Sequence, residues 1–157
     1  MNWSIITKGK HEGKSIPQII LNDPDYFYWA IENDFFSSTK LLLKQAEIVE
    51  QRASSVKIPD NDDMSLEIEH IYHPPDNTYA RFDLEPVTKP VHHGGSRAHR
   101  AKYLDFRTPR RRKGYDKAGY QLFLKSFKEN ILGNSKIRIT KKIAEDFFSN
   151  PSNFANP

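Results

Sequence analysis

Between Val91 and Gly114 the chain carries two adjacent glycines, dense positive charge and almost no apolar periodicity. Such a stretch reads as a loop, or as an arm that orders only on its partner. The folded core is therefore left to the segments on either side, and the charge divides near the same place. Residues 1–88 hold 8 Lys+Arg against 15 Asp+Glu, a net of −7, whereas residues 89–157 hold 16 against 5, a net of +11. Halves of opposite sign point to a polyanionic partner for the basic half, or to docking of the halves on each other.

Residues 3–7 are apolar and β-branched enough for a short strand, and Lys8-Gly9-Lys10-His11-Glu12-Gly13-Lys14 follows as a tight turn. Ser15 is placed to cap a short helix through Leu21, and Asp23-Pro24 is a second start signal, an N-cap acceptor before a first-turn proline. That second helix, with Tyr26, Phe27, Ala30 and Ile31 at helical spacing, should end near Asn33 or Asp34. Ser38 or Thr39 starts a third, through about Arg52. Residues 53–64 read as a polar, acidic linker. Alternation in Leu66–Tyr72 and Tyr79–Leu84 around His73-Pro74-Pro75-Asp76-Asn77-Thr78 predicts a hairpin. Tyr115–Ile131 and Thr140–Phe148 return to helical spacing, and the Pro/Asn/Ser-rich tail should fray.

The pattern Lys8-Gly9-Lys10-His11-Glu12-Gly13-Lys14, then Asp23-Pro24-Asp25-Tyr26-Phe27-Tyr28-Trp29, resembles the small module at the C-terminal end of exonuclease X-like proteins, GKxxGK…DPxYxxW. The resemblance spans about residues 3–45. It implies a small α/β appendage in a nucleic-acid-related setting, and stand-alone bacterial and phage proteins with this pattern suggest a bacterial or phage-infected cell. It carries over no catalytic residue, because no ordered set of acidic exonuclease motifs is present. From the residues alone, Tyr26 and Trp29 read as core or half-buried packing residues. Lys8, Lys10 and Lys14 read either as a solvated turn or as point charges for phosphates.

From Arg97 to Lys113 the cations are Arg97, Arg100, Lys102, Arg107, Arg110, Arg111, Arg112 and Lys113, with Asp105 the single acid. Guanidinium groups fork onto phosphate oxygens or stack on bases. Tyr103, Phe106 and Tyr115 lie among them, and aromatic faces among cations suit single-stranded nucleic acid. Arginine-rich arms that fold on binding also reach structured RNA. An arm that neutralises the acidic stretch from Glu47 to Glu85, or binds a protein, stays open beside this.

The chain has no cysteine, which removes disulfides, thiolate catalysis and Cys-based zinc sites. For a metal-dependent nuclease the candidates are His70, His73, His92, His93 and His99 with Asp60, Asp62, Asp63, Glu67, Glu69, Asp83 and Glu85. None completes a recognisable motif, and there is no phosphate loop, dinucleotide fingerprint or nucleophile elbow. The start Met1-Asn2-Trp3-Ser4 lacks the features of a signal peptide, and no segment reaches the roughly 18 apolar residues of a membrane span.

These observations predict an α+β protein: a strand-turn-helix module over residues 1–53, then a hairpin, basic irregular arm and C-terminal helices over 54–157, packed on the first as one unit. The expected role is a nucleic-acid-binding accessory protein in replication, repair or defence, cytoplasmic, without catalytic residues, metal or cofactor. Its contacts would be Lys8, Lys10, Lys14, Arg97, Arg100, Lys102, Tyr103, Arg107, Arg110, Arg111, Arg112 and Lys113. The expected partners are DNA or RNA and a protein of a nucleic-acid-processing complex, with no membrane. The alternative is a protein-interaction factor or inhibitor acting through the acidic half.

Overall fold

Four helix starts follow from side chains that accept orphan N–H groups. A computed structural model describes residues 1–59, 65–92, 97–111 and 115–157. In it α1 spans Ile16–Asn22, and Gln18 Oε1 accepts from the Ser15 N–H at 3.0 Å. Helix α2, Pro24–Glu32, is capped by Asp23; α3, Lys40–Ala53, by Thr39; and α5, Lys141–Ser149, by Thr140. Helix α4 covers Ala118–Asn130. Each of these caps supplies an acceptor that an alanine would not.

The fold class is α+β, with helices and one antiparallel sheet. Strands β1, Leu66–His73, and β2, Thr78–Pro86, form the predicted hairpin, with a register irregularity between Ile71 and Tyr72. A third strand, β3, Arg97–Ala101, pairs with the other edge of β1, giving the order β2-β1-β3. This corrects the expectation of an irregular arm across residues 91–114. Farther on, Leu104 bridges to Val56, and Leu104, Phe106, Thr108 and Pro109 are buried. The expectation for residues 93–96 and 112–114 lies outside the described residues, as does that for the linker's 60–64.

Contacts divide the chain into two compact units. The first is Met1–Ser55 with Arg138–Pro157 and the second Val56–Ile137. In the first, α1 packs against α2, α3 and α5, burying Ile16, Ile19, Ile20, Phe27, Ala46, Val49, Ala144 and Phe148. Helix α5 thus belongs with the N-terminal helices, and of the two C-terminal helices only α4 joins the sheet. The tail does not fray: Pro151–Asn153 forms a 3-10 turn, and Phe154 is buried in stacked contact with Phe148. The expected strand over residues 3–7 reduces to one bridge, Ile5 to Ser15: its backbone-to-backbone bonds join Ile6 to Gly13 and Lys14 across the turn, while the Ser4 N–H donates to the Gln45 side chain.

In the second unit α4 lies on β2, so close that a Cβ on Gly119 would stand 3.1 Å from the Tyr79 Cβ. Phe123 is the centre of this layer, with ring contacts to Tyr79, Phe82, Phe106 and Tyr120. Truncating a fully buried phenylalanine removes both its transfer energy and its packing partners. Phe123→Ala is therefore expected to cost about 3–5 kcal/mol, measured by urea denaturation followed by circular dichroism.

Candidate nucleic-acid interface

The sequence proposes two groups of cations, and the structure gives their members different surroundings. Strand β3 alternates its side chains, so Arg100 projects from the face opposite His99. There its Nε lies 2.9 Å from Glu69 Oε2, with both side chains nearly buried, at 9% and 5% exposure. The other guanidinium nitrogens donate to the carbonyls of Pro86 and Pro90, at 3.0 and 3.2 Å, and the His92 N–H also donates to Glu69. Arg100 is thus a clamp across the sheet face, and its fork is already engaged.

The outward members are arranged otherwise. Arg97 is exposed at the start of β3. Lys102 Nζ stands 5.5 Å from the Tyr103 ring centroid, and the Arg110 guanidinium carbon 5.9 Å from that of Tyr115. Both distances fall within the range of cation–π attraction. The two tyrosines keep 37% and 36% of their surface in solvent, so each pair offers a cation beside an aromatic ring. Arg111 pairs with Asp105 at 2.9 Å with most of its side chain exposed, and Arg107 is half-buried ahead of the 3-10 turn Thr108–Arg111. Arg112 and Lys113 lie outside the described residues.

In the first unit, Gly9 adopts φ +88°, where a side chain is strained, and its backbone presses on rings: a Cβ there would stand 2.8 Å from Phe35 Cζ. His11 folds inward and shares Asp23 Oδ2, at 2.9 Å, with Lys10, at 3.1 Å. Burial pushes the Asp23 carboxyl up, but hydrogen bonds from His11, Lys10 and the Tyr26 N–H outweigh it and hold the group below the usual carboxylate range. Lys10 is thereby tied to the start of α2, and its Nζ lies 6.0 Å from the Tyr26 centroid. Lys8 Nζ is 5.6 Å from the Phe35 centroid. Lys14 is exposed and enters the turn through its backbone, accepting from Ile6 and donating to His11.

Of the two readings of Tyr26 and Trp29, core or half-buried packing, neither residue is core: Trp29 is 44% exposed and keeps ring contacts with Tyr26 and Phe35. At 100° per residue the buried positions Phe27, Tyr28 and Ala30 define one side of α2, and Trp29 falls about 180° from its centre. That phase was the available signal, and the spacing of Tyr26 and Trp29 alone obscured it.

The nuclease candidates do not assemble. Among the described residues no three His, Asp or Glu side chains are grouped to hold a metal ion. Asp60, Asp62, Asp63 and His93 lie outside them. His70 is buried under the sheet face, with Nδ1 2.7 Å from the Tyr79 hydroxyl and its ring 4.9 Å from that of His99, which stacks on Tyr72. Burial first, and the neighbouring His99 second, lower the His70 pKa to about 3. Burial, with Tyr72 and Asp83 nearby, raises that of Tyr79 well above its ordinary value. Among the described residues no helix is long and apolar enough to cross a membrane.

No family model, curated protein or solved structure matches this chain.

Two outcomes follow from the geometry. Removing Arg100 leaves Glu69 buried without its partner, so Arg100→Ala is expected to lower stability by about 3–5 kcal/mol in chemical denaturation. Replacing both members, as in Glu69→Leu with Arg100→Met, should recover most of that loss. His70 titrates at about 3 when folded against 6.5 when free. The unfolded chain therefore binds the proton first, and stability falls as pH drops through the window between these values. From pH 7 to pH 5 the expected loss from this residue is about 2 kcal/mol, and a His70→Phe variant should lack it.

Proposed function

We propose that the chain is a nucleic-acid-binding accessory protein that grips phosphates through the outward cations of its basic stretch. The observation that carries this reading is the pairing of cation with exposed aromatic ring: exposed Lys102 with Tyr103, and half-buried Arg110 with Tyr115. Each pair offers a phosphate contact and a stacking face together, the combination that holds single-stranded nucleic acid without sequence preference. Arg97, Arg107 and Arg111 belong to the same basic stretch of sequence, as do Arg112 and Lys113. Arg100 serves instead to hold the sheet, given its engagement with Glu69, Pro86 and Pro90.

The resemblance of residues 3–45 to the exonuclease X C-terminal module supports the same setting, an accessory to replication, repair or defence in a bacterial or phage-infected cytoplasm. Charge supports it too, since the basic half keeps a large surplus after its internal pairs. A protein of the same nucleic-acid-processing complex is the expected second partner.

A salt titration against fluorescent single-stranded DNA, duplex DNA and structured RNA, with a parallel magnesium and manganese set, tests the proposal. Binding with intact substrate is expected, its affinity falling by about 0.7 log unit per log unit of salt for each single-strand phosphate neutralised. Replacing Arg110, Arg111 and Arg112 with alanine should weaken binding and flatten that slope while thermal stability changes little. Salt-insensitive binding, or none at low salt, would contradict the proposal.

A further inference from the structure

The first unit carries a feature that its packing does not require. Tyr26, Trp29 and Phe35 form a contiguous aromatic surface, with centroids 5.3 Å apart for Tyr26–Trp29, 6.0 Å for Trp29–Phe35 and 6.1 Å for Tyr26–Phe35. The indole is nearly half in solvent, although the adjacent Phe27, Tyr28 and Ala30 are almost wholly buried. An exposed tryptophan opposite the buried side of its own helix adds nothing to the core that a polar residue would diminish.

The rim of this surface carries both signs, with Asp25 and Glu32 one helical turn either side of Trp29 and lysines on the turn at residues 8–14. Lys8 and Lys10 lie over Phe35 and Tyr26, positioned by the close approach of the Gly9 backbone to both rings. The Asp23 charge is taken up by Lys10 and His11, whereas Lys8 and Lys14 have no ion-pair partner among the described residues. Glu12 is exposed on the same turn, so the site is not uniformly basic. Its chemistry is an exposed indole flanked by tilted rings, with the Lys8 ammonium beside them, which fits a base and its flanking phosphate better than a run of phosphates.

We infer that Trp29, with Tyr26 and Phe35, is a stacking platform for an unpaired base of single-stranded nucleic acid, whose adjoining phosphate is held by Lys8. This rests on the proposed nucleic-acid function and adds the preference for single strands. In duplex DNA the base faces are covered by their neighbours, so the platform has nothing to stack on.

The chain has two tryptophans, and Trp3 is buried, donating to Ser149 Oγ at 2.9 Å. Trp3→Phe leaves Trp29 as the single indole, and oligothymidylate titration into that variant reads the platform directly. Emission should be quenched strongly as the strand binds, in step with the anisotropy of a labelled strand, and acrylamide access should fall. Trp29→Ala should weaken single-strand binding about tenfold while leaving duplex binding unchanged. If Trp3→Phe folds poorly, acrylamide quenching of the wild-type chain gives the same answer, because Trp29 is the exposed indole. Binding by anisotropy with unchanged Trp29 emission and access would overturn the platform while the nucleic-acid reading stands. Absence of any nucleic-acid binding at low salt would overturn both, as would Trp29 protection only on adding a protein partner.

Discussion

The ion pair between Arg100 and Glu69 sets the organisation of the basic stretch. The two groups meet at 2.9 Å where little water reaches them, on neighbouring strands, with the Pro86 and Pro90 carbonyls and the His92 N–H completing the network. A buried pair of this kind contributes little net stability relative to apolar replacements, but it is expensive to break and specific in what it joins. It holds β3 in register on β1 and gathers residues 86–92 onto the same face. With β3 held there, Leu104 and Phe106 reach buried positions, while Lys102 and Tyr103, just after β3, remain exposed.

The charge division visible in the sequence therefore has two parts. Some of it is satisfied within the second unit: Glu69 by Arg100, Asp105 by Arg111 and Glu85 by Lys89. Of what remains, Arg97 is exposed at the start of β3 and Lys102 is exposed beside Tyr103. Total charge thus overstates the binding surface, and burial separates the structural arginine from the outward cations.

Much of the helical framework was legible. Asp23-Pro24, Thr39 and Thr140 are start signals whose chemistry is local, and each caps the helix it predicts. The hairpin was legible from alternation and a proline turn. Strand β3 was not, because Arg97-Ala98-His99-Arg100-Ala101 has no apolar alternation and owes its conformation to a partner about thirty residues away in β1. Phe154 looked like part of a polar tail, yet its ring packs on Phe148. At the site, the sequence names the cations, but their neighbours separate Arg100 from the rest. Arg100 and Arg97 lie in one short strand on opposite faces, Arg97 at its start opposite Tyr72 and Arg100 opposite Glu69. Trp29 was obscured because an aromatic residue on a helix is ordinarily core.

Arginine footprinting with phenylglyoxal, with and without single-stranded DNA at low salt, tests most directly the claim that the outward cations hold nucleic acid. The account predicts that Arg97, Arg110 and Arg111 react in the free protein and are protected in the complex, while Arg100 reacts slowly in both. Unchanged reactivity at the outward arginines, with protection confined to the acidic half, would contradict it.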